Sequence, residues 1–431
     1  MWNGLGEHET ITIKPGLGKV LFVGLTTVMA CIAWFAYSQE NASQLNRLGN
    51  HLLAAKGEQL FSEATFSGND RTCHTCHALE QFGTITPETV QALYASNPGA
   101  PLFRALDSDD GLGTSYQRLL EHATIRVPLD LPVDSASGLS IRKCEAPAET
   151  KTTVNRGNPS VFNVALENHL MHDGRNGDDL RQQARDAIQT HNQPTSKPAD
   201  IELAAIVAFQ KTLFSKQSIK EFFISGKVPA IPVGTTASEI RGRSFLAEDG
   251  KCGVCHSGPL LNQTSKFHGF VVGARFETAL VGMEPDNPNP KYLWCWVDPK
   301  TNKIVTGPNG ETQINPQPMA DPGTILSNNT QEFTGIEGKT FTVSNAQMAI
   351  AVGGPVFKIP TLWGVVNTAP YFHDNSAKTL EDVIDQYNFL FKTFTEFASD
   401  LGCQPAPSDC FDERDKKDII AYLQLLAFDS P

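Results

Sequence analysis

Apolar residues recur at helical spacing in four stretches of the chain. Two of them, 45–61 (LNRLGNHLLAAKGEQLF) and 237–248 (ASEIRGRSFLAE), each lead into a Cys-rich motif, and two, 199–214 (ADIELAAIVAFQKTLF) and 416–428 (KKDIIAYLQLLAF), close the segments beyond those motifs. A 3.6-residue period over a dozen positions predicts amphipathic helices. Within the leading helices a glycine precedes an apolar pair both times, Gly57 before Leu60 and Phe61, and Gly242 before Phe245 and Leu246. The pattern is an internal repeat of two mainly helical halves. The Pro/Gly-rich stretch 226–236 (GKVPAIPVGTT) is the natural linker, and the Gly-, Pro- and Asn-rich segment 282–315 reads as a long loop.

One further apolar run differs in kind. Val20 to Tyr37 carries no charge over eighteen residues, with Lys14 and Lys19 before it and Glu40 the first charge after it. At 1.5 Å per residue such a helix covers about 27 Å, near the thickness of a bilayer core. It predicts an uncleaved transmembrane anchor with a cytoplasmic tail at 1–19, and export of the chain from residue 38 onward. A cleaved signal peptide is the alternative. The expected layout is a tail at 1–19, an anchor at 20–37, and two domains at 38–235 and 236–431.

The length, 431 residues, allows about three folding units. A hydrophobic fraction of 40% and a charged fraction of 19% exclude a disordered or many-span chain. The net charge of −12 argues against nucleic-acid binding and suits a basic protein partner.

Cys73-His74-Thr75-Cys76-His77 and Cys252-Gly253-Val254-Cys255-His256 are both C-x-x-C-H, the attachment signature of haem c. Two thiols on one turn form thioethers to the vinyl groups, and the adjoining His77 or His256 comes under the iron. Zinc and redox-dithiol sites also use C-x-x-C, but neither requires the following histidine. Haem c is attached outside the cytoplasm, in agreement with the predicted export. His74 is expected to face outward, His8 to lie in the tail and Cys31 in the anchor. Cys403 and Cys410 bracket a short Pro-rich loop that an oxidising compartment closes as a disulfide. Cys144 and Cys295 are left to pair with each other or to stay free.

The order of the first motif, Asn155 to Asn163 (NRGNPSVFN), Asp173-Gly174-Arg175, the second motif, and Lys358 to Asp374 (KIPTLWGVVNTAPYFHD) with TLEDVIDQY after it resembles the bacterial di-haem cytochrome c peroxidase and MauG family. The resemblance implies two cytochrome c-like haem domains in tandem. The N-terminal haem would react with hydrogen peroxide and the C-terminal haem would relay electrons from a periplasmic donor such as a small cytochrome c. Tyr387 falls where the peroxidases carry a distal methionine and the MauG type a tyrosine, and Met283, Met319 and Met348 are substitute ligands. The family's distal glutamate is missing; Gln193 stands near its place with His191 beside it, and His191 is the expected acid/base. His122 is a further histidine that could cap an iron. Arg175 matches an arginine suited to haem propionates, and His172 stands where the family has an inter-haem tryptophan. Thr368 and Pro370 match two carbonyl ligands of a calcium site, with Gly157 in place of the asparagine ligand and Asn158 adjacent. Asn375 replaces a glycine, which a left-handed backbone tolerates. The resemblance implies a di-haem peroxidase. A MauG-like oxidase of a protein or small molecule, and an electron carrier with both irons capped, stay open.

Overall fold

The computed structural model describes residues 46–429, apart from 135, 268–270, 273–275, 279–286, 288, 309, 315–316, 327–329, 336–339, 345–354, 394–398, 400–402 and 404–408. The predicted anchor, His8, Cys31, Met283 and Met348 lie outside the described residues. Among the described residues no helix is long and apolar enough to cross a membrane.

The helices are α1 (46–63), α2 (Pro87–Ser96), α3 (Gln117–His122), α4 (Leu180–Ala187), α5 (Asp200–Gln210), α6 (Gln217–Ser225), α7 (Ala237–Phe245), α8 (Leu380–Thr393) and α9 (Glu413–Leu423). Their starts are written in the sequence. Thr236 caps α7 by accepting from the Glu239 N–H, and Asp412 caps α9 by accepting from the Arg414 and Asp415 N–H groups. The predicted helix at 199–214 ends early, at Gln210, where Lys211 and Thr212 turn back onto the carbonyls of Val207 and Phe209.

The paired glycines explain the repeat. A Cβ on Gly57 would run into the Ala205 carbonyl of α5, and one on Gly242 into the Asp418 carbonyl of α9. In each half the leading and closing helices therefore cross backbone to backbone, and only glycine permits that approach. Leu60 and Phe61 join Leu203, Ile206 and Phe209 in one core, while Leu246 joins Ile419, Tyr422 and Leu423 in a second.

A second repeat becomes visible only in the folded chain. Residues 157–175 and 358–376 run in register: Pro159 with Pro360, Ser160 with Thr361, His172 with His373 and Asp173 with Asp374. Their left-handed positions coincide as well, Asn163 with Gly364, Met171 with Phe372 and Gly174 with Asn375. Asn375 has φ 56°, the conformation its place required. The two segments are tied reciprocally. The Gly157 N–H donates to the His373 carbonyl at 2.8 Å, and the Lys358 N–H donates to the His172 carbonyl at 2.9 Å.

The strands are short. β1 (Ile125–Asp130) pairs with β3 (Lys151–Arg156), and β2 (Ser140–Lys143) pairs with β6 (Trp294–Asp298), which also carries β7 (Lys303–Ile304). β4 (Val271–Val272), β8 (Thr330–Gly335) and β9 (Thr340–Ser344) form a third sheet, and β5 (Phe276–Thr278) pairs with β10 (Val356–Lys358). The β2–β6 pairing corrects the reading of 282–315 as a long loop. Trp294 and Trp296 are fully buried and join Leu102, Leu119, Val127 and Ile325 in a third core, built from one insertion in each half. The Cys144–Cys295 disulfide staples the two insertions together, with Cα atoms 5.1 Å apart. Alternation was a poor guide here because β6 is buried on both faces. Cys403 and Cys410 are bonded as expected.

Gly242→Ala should lower the urea midpoint by the equivalent of roughly 1–3 kcal/mol, the usual cost of overpacking. Gly49→Ala, in α1 with open space around it, should raise stability by about 0.5–1 kcal/mol. Equal effects of the two changes would contradict the helix-crossing account.

Candidate haem-binding site

Both C-x-x-C-H motifs fold as tight turns in which the histidine N–H donates back to the first cysteine carbonyl, His77 to Cys73 at 2.9 Å and His256 to Cys252 at 2.8 Å. Each proximal imidazole is then fixed by its own loop. His77 Nδ1 is 3.0 Å from the Gly83 carbonyl, and His256 Nδ1 is 3.0 Å from the Leu261 carbonyl. A carbonyl at Nδ1 holds the proton there and leaves Nε2 as the electron-pair donor to a metal. Burial lowers the pKa of both rings, which favours the neutral, ligating form. Cys73, Cys76, Cys252 and Cys255 are not disulfide-bonded. Burial pushes the Cys73 and Cys252 thiols up to about 12 and Cys76 to about 11, far from a reactive dithiol.

All six attachment residues line one continuous cavity of about 950 Å³. Two thiols per turn, an oriented imidazole beside them and mostly apolar walls fit a covalently held haem at each motif. His74 points outward, 3.4 Å from Glu80, as expected.

In the wall of the same cavity, α4 runs into a π-helical turn at Ile188–Asn192, which carries His191 into the lining. Such a turn adds a residue to the helix and re-aims the side chain, and it concentrates at functional sites. It is pinned to the segment entering the first motif. Asn69 Nδ2 donates to the His191 carbonyl at 2.9 Å, the Asn69 N–H donates to the Asn192 carbonyl at 2.8 Å, and Asn192 Nδ2 donates to the Arg71 carbonyl at 2.6 Å. His191 Nδ1 is buried without a hydrogen-bond partner. Burial pushes this ring down to about 4; Asp107 opposes the shift, while Arg71, Arg175 and His77 add to it. It is a neutral imidazole within electrostatic reach of His77.

Residues 53–205 match the family model for di-haem cytochrome c peroxidase, a span holding the first motif and the π turn. Over this segment the chain is similar to that family. No curated protein matches the chain. The crystal structure of a MauG-like protein associated with microbial copper homeostasis aligns at 18% identity over 88% of this chain and 89% of its own, with a TM-score of 0.42. The di-haem peroxidase BthA from Burkholderia thailandensis aligns at 12% identity over 87% and 86%, also at 0.42.

The other expected residues fall into two groups. Arg175, His172, Tyr387, Thr368 and Pro370 line the same cavity as the motifs. Arg175 Nη1 lies 2.9 Å from each Asp173 oxygen. Gln193 does not reach the cavity. It ends the π turn in a left-handed conformation, is exposed, and accepts from Asn69 Nδ2 at 3.3 Å, so it is a peg of the turn and no distal acid. His122 stands at the end of α3 against Glu121, and Met319 packs in the third core with its carbonyl accepting from Trp294 Nε1; neither lines the cavity.

Among the residues expected at a calcium site, Asn158 keeps its Oδ1 buried without a hydrogen-bond partner. Asn158 Nδ2 donates to the Cys76 and Gly83 carbonyls and thereby clamps the first haem loop. Gly157 has no side chain, and the Asn375 amide fills the space in front of it while donating to the His122 carbonyl at 2.9 Å.

The sequence reading missed a buried charge cluster. Arg71, two residues before the first motif, pairs with Asp107 at 2.6 Å and donates to the Pro101 and Leu102 carbonyls. Arg156 pairs with Asp173 at 2.6 Å and Asp321 at 2.7 Å; burial works against its charge, but the two carboxylates hold its pKa above the ordinary value. His172 Nε2 is 3.0 Å from the Gly157 carbonyl, and burial, with Arg156 and His373 adding to it, pushes the ring down to about 3. The signals were a charged residue beside a motif and the repeated His-Asp pair.

A buried histidine that stays neutral in the native state binds a proton only on unfolding. The unfolded pKa is about 6.5, so stability falls as pH drops from 6.5 through the native value. His172→Gln should therefore show a weaker loss of urea midpoint between pH 7 and pH 5 than the unaltered chain. An unchanged slope would contradict the assignment of His172 as neutral.

Proposed function

We propose that the chain is an exported di-haem c-type peroxidase that reduces hydrogen peroxide to water. His77 marks the peroxide site and His256 the electron-relay site. The observation that carries this reading is His191: an uncharged imidazole with an unpartnered nitrogen, aimed by a π turn into the cavity that holds His77. Haem bound at the two motifs would supply the redox chemistry, in which one peroxide, two electrons and two protons give two waters. The protein's part is to place protons. A neutral His191 accepts a proton from one peroxide oxygen and returns it to the other, the general acid/base step that a distal group performs. Burial keeps that ring neutral at pH 7, and Arg71 and Arg175 add to the effect while holding positive charge that favours electron-rich peroxide oxygen beside it.

The compartment and partner rest on the same kind of reasoning. Two disulfides and two haem c motifs suit an oxidising compartment, and residues 20–37 supply the proposed inner-membrane anchor. The net charge of −12 suits a basic periplasmic donor such as a small cytochrome c. A second reading, an oxidase of a protein or small molecule as in the MauG type, rests on Tyr387. This residue lines the cavity from α8 together with His256, and a phenolate there favours ferric iron.

His191→Gln should lower the second-order rate constant for peroxide consumption by about 10²–10⁴, with haem content unchanged. Gln193→Ala should stay within a few-fold of the unaltered chain. Loss of activity in the second variant and retention in the first would reverse the assignment.

A further inference from the structure

Where the two repeated segments meet, the second His-Asp pair is placed unlike the first. His172 satisfies its Nε2 on the Gly157 carbonyl at 3.0 Å. The matching nitrogen of His373 has no hydrogen-bond partner, although the residue is only 4% exposed. The imidazole is stacked on Phe357, with ring centroids 3.8 Å apart and planes at 18°, so it cannot swing out to solvent without breaking that contact. Facing His373 Nε2 at 3.8 Å is Asp321 Oδ2, contributed by the insertion of the C-terminal half. Asp321 is itself fixed: both oxygens accept from Arg156, and Oδ1 also accepts from the Gly323 N–H at 2.9 Å.

Charged and titratable groups face the ring from every side. From its own segment comes Asp374, whose Oδ2 accepts from the Asn287 and Asn289 amides. From β3 comes Arg156, from the first repeat Asp173 and His172, and from the insertion Asp321. The near-field carboxylates favour a proton on His373, while burial and Arg156 oppose it, and the outcome is a ring held below its ordinary pKa. His373, His172, Arg156 and Phe357 all line the cavity that the two motifs share.

We propose that His373, faced by Asp321, is a redox-linked proton site between the two haem positions. When a one-electron donor adds an electron to the two-haem centre, one proton from solvent binds His373 Nε2, converting imidazole to imidazolium opposite the Asp321 carboxylate. Withdrawal of the electron releases the proton. Only one N–H bond is made or broken, and the added electron and the added proton cancel in charge. The physical reason is electrostatic: an added electron in a low-dielectric cavity raises the proton affinity of a nearby neutral base that already has a carboxylate in front of it. The assignment rests on haem at both motifs but not on peroxide as substrate.

The test is an optical redox titration of the haem-loaded full-length protein, without peroxide, from pH 5 to pH 8.5. In the unaltered chain the equilibrium constant for reducing one haem should fall up to tenfold per unit rise in pH within this range. His373→Gln should flatten that dependence. Asp321→Asn keeps the imidazole but removes the facing charge, and should move the dependent range to lower pH. Haem content and the far-ultraviolet circular dichroism spectrum report whether each variant is folded, and if either variant does not fold, the pH dependence of the unaltered chain and the remaining variant decide. A reduction equilibrium independent of pH in the unaltered chain would overturn the proposal. So would a slope that survives in His373→Gln, or a range unmoved in Asp321→Asn. A protein that shows the coupling but does not consume peroxide would overturn the peroxidase reading alone.

Discussion

Arg156 is a full positive charge sealed among apolar neighbours at 2% exposure, and it stays charged because Asp173 and Asp321 close on it from different parts of the chain. Asp173 belongs to the first repeated segment and also holds Arg175; Asp321 belongs to the insertion of the second half and faces His373. One guanidinium therefore ties the first half, the inserted third core and the edge of the second half around the shared cavity. Such a triad is weak evidence for net stability, since the desolvation of three charges offsets their attraction. Its value is placement. Removing one member strands a buried charge at a cost of about 3–5 kcal/mol, so the three segments are held to one arrangement.

The rest of the site is arranged around that fixed point. Reciprocal backbone hydrogen bonds join Gly157 to His373 and Lys358 to His172, so the two halves meet where the triad anchors them. On either side of this junction the same proximal device appears, a C-x-x-C-H turn with Nδ1 of its histidine on a loop carbonyl. The halves differ on the distal side. The first offers His191 on a π turn, and the second offers Tyr387 on a long helix. In the proposed function, a polar acid/base on one side and a phenol on the other divide the labour between a reacting position and a storing position.

What could be read from the sequence was what is encoded locally. The two attachment motifs, the four amphipathic helices and the paired glycines depend on spacings of a few residues, and each is present in the structure. His191 was reachable because it sits beside a position where an acid/base was wanted. Gln193 was misplaced because a π turn shifts the helix face by one residue, which no periodicity reveals. The clamp that Asn158 makes on the first motif was not legible because its partners, the Cys76 and Gly83 carbonyls, lie far away in sequence. The third core escaped for the same reason: the disulfide that joins β6 to the residue just after β2 spans a sequence separation of 151, and the strand pairing beside it is purely tertiary. Asp321 and His373 belong to this class, since nothing near either residue in sequence announces the other.

One motif, in this account, keeps a reactive iron position beside His191 while the other relays electrons. Electron paramagnetic resonance and optical spectra of the haem-loaded protein, recorded before and after one equivalent of hydrogen peroxide with and without prior reduction, address that division most directly. The account predicts one high-spin haem that reacts with peroxide and drains reducing equivalents from both irons. Two low-spin haems inert to peroxide in both redox states would contradict it and leave an electron carrier.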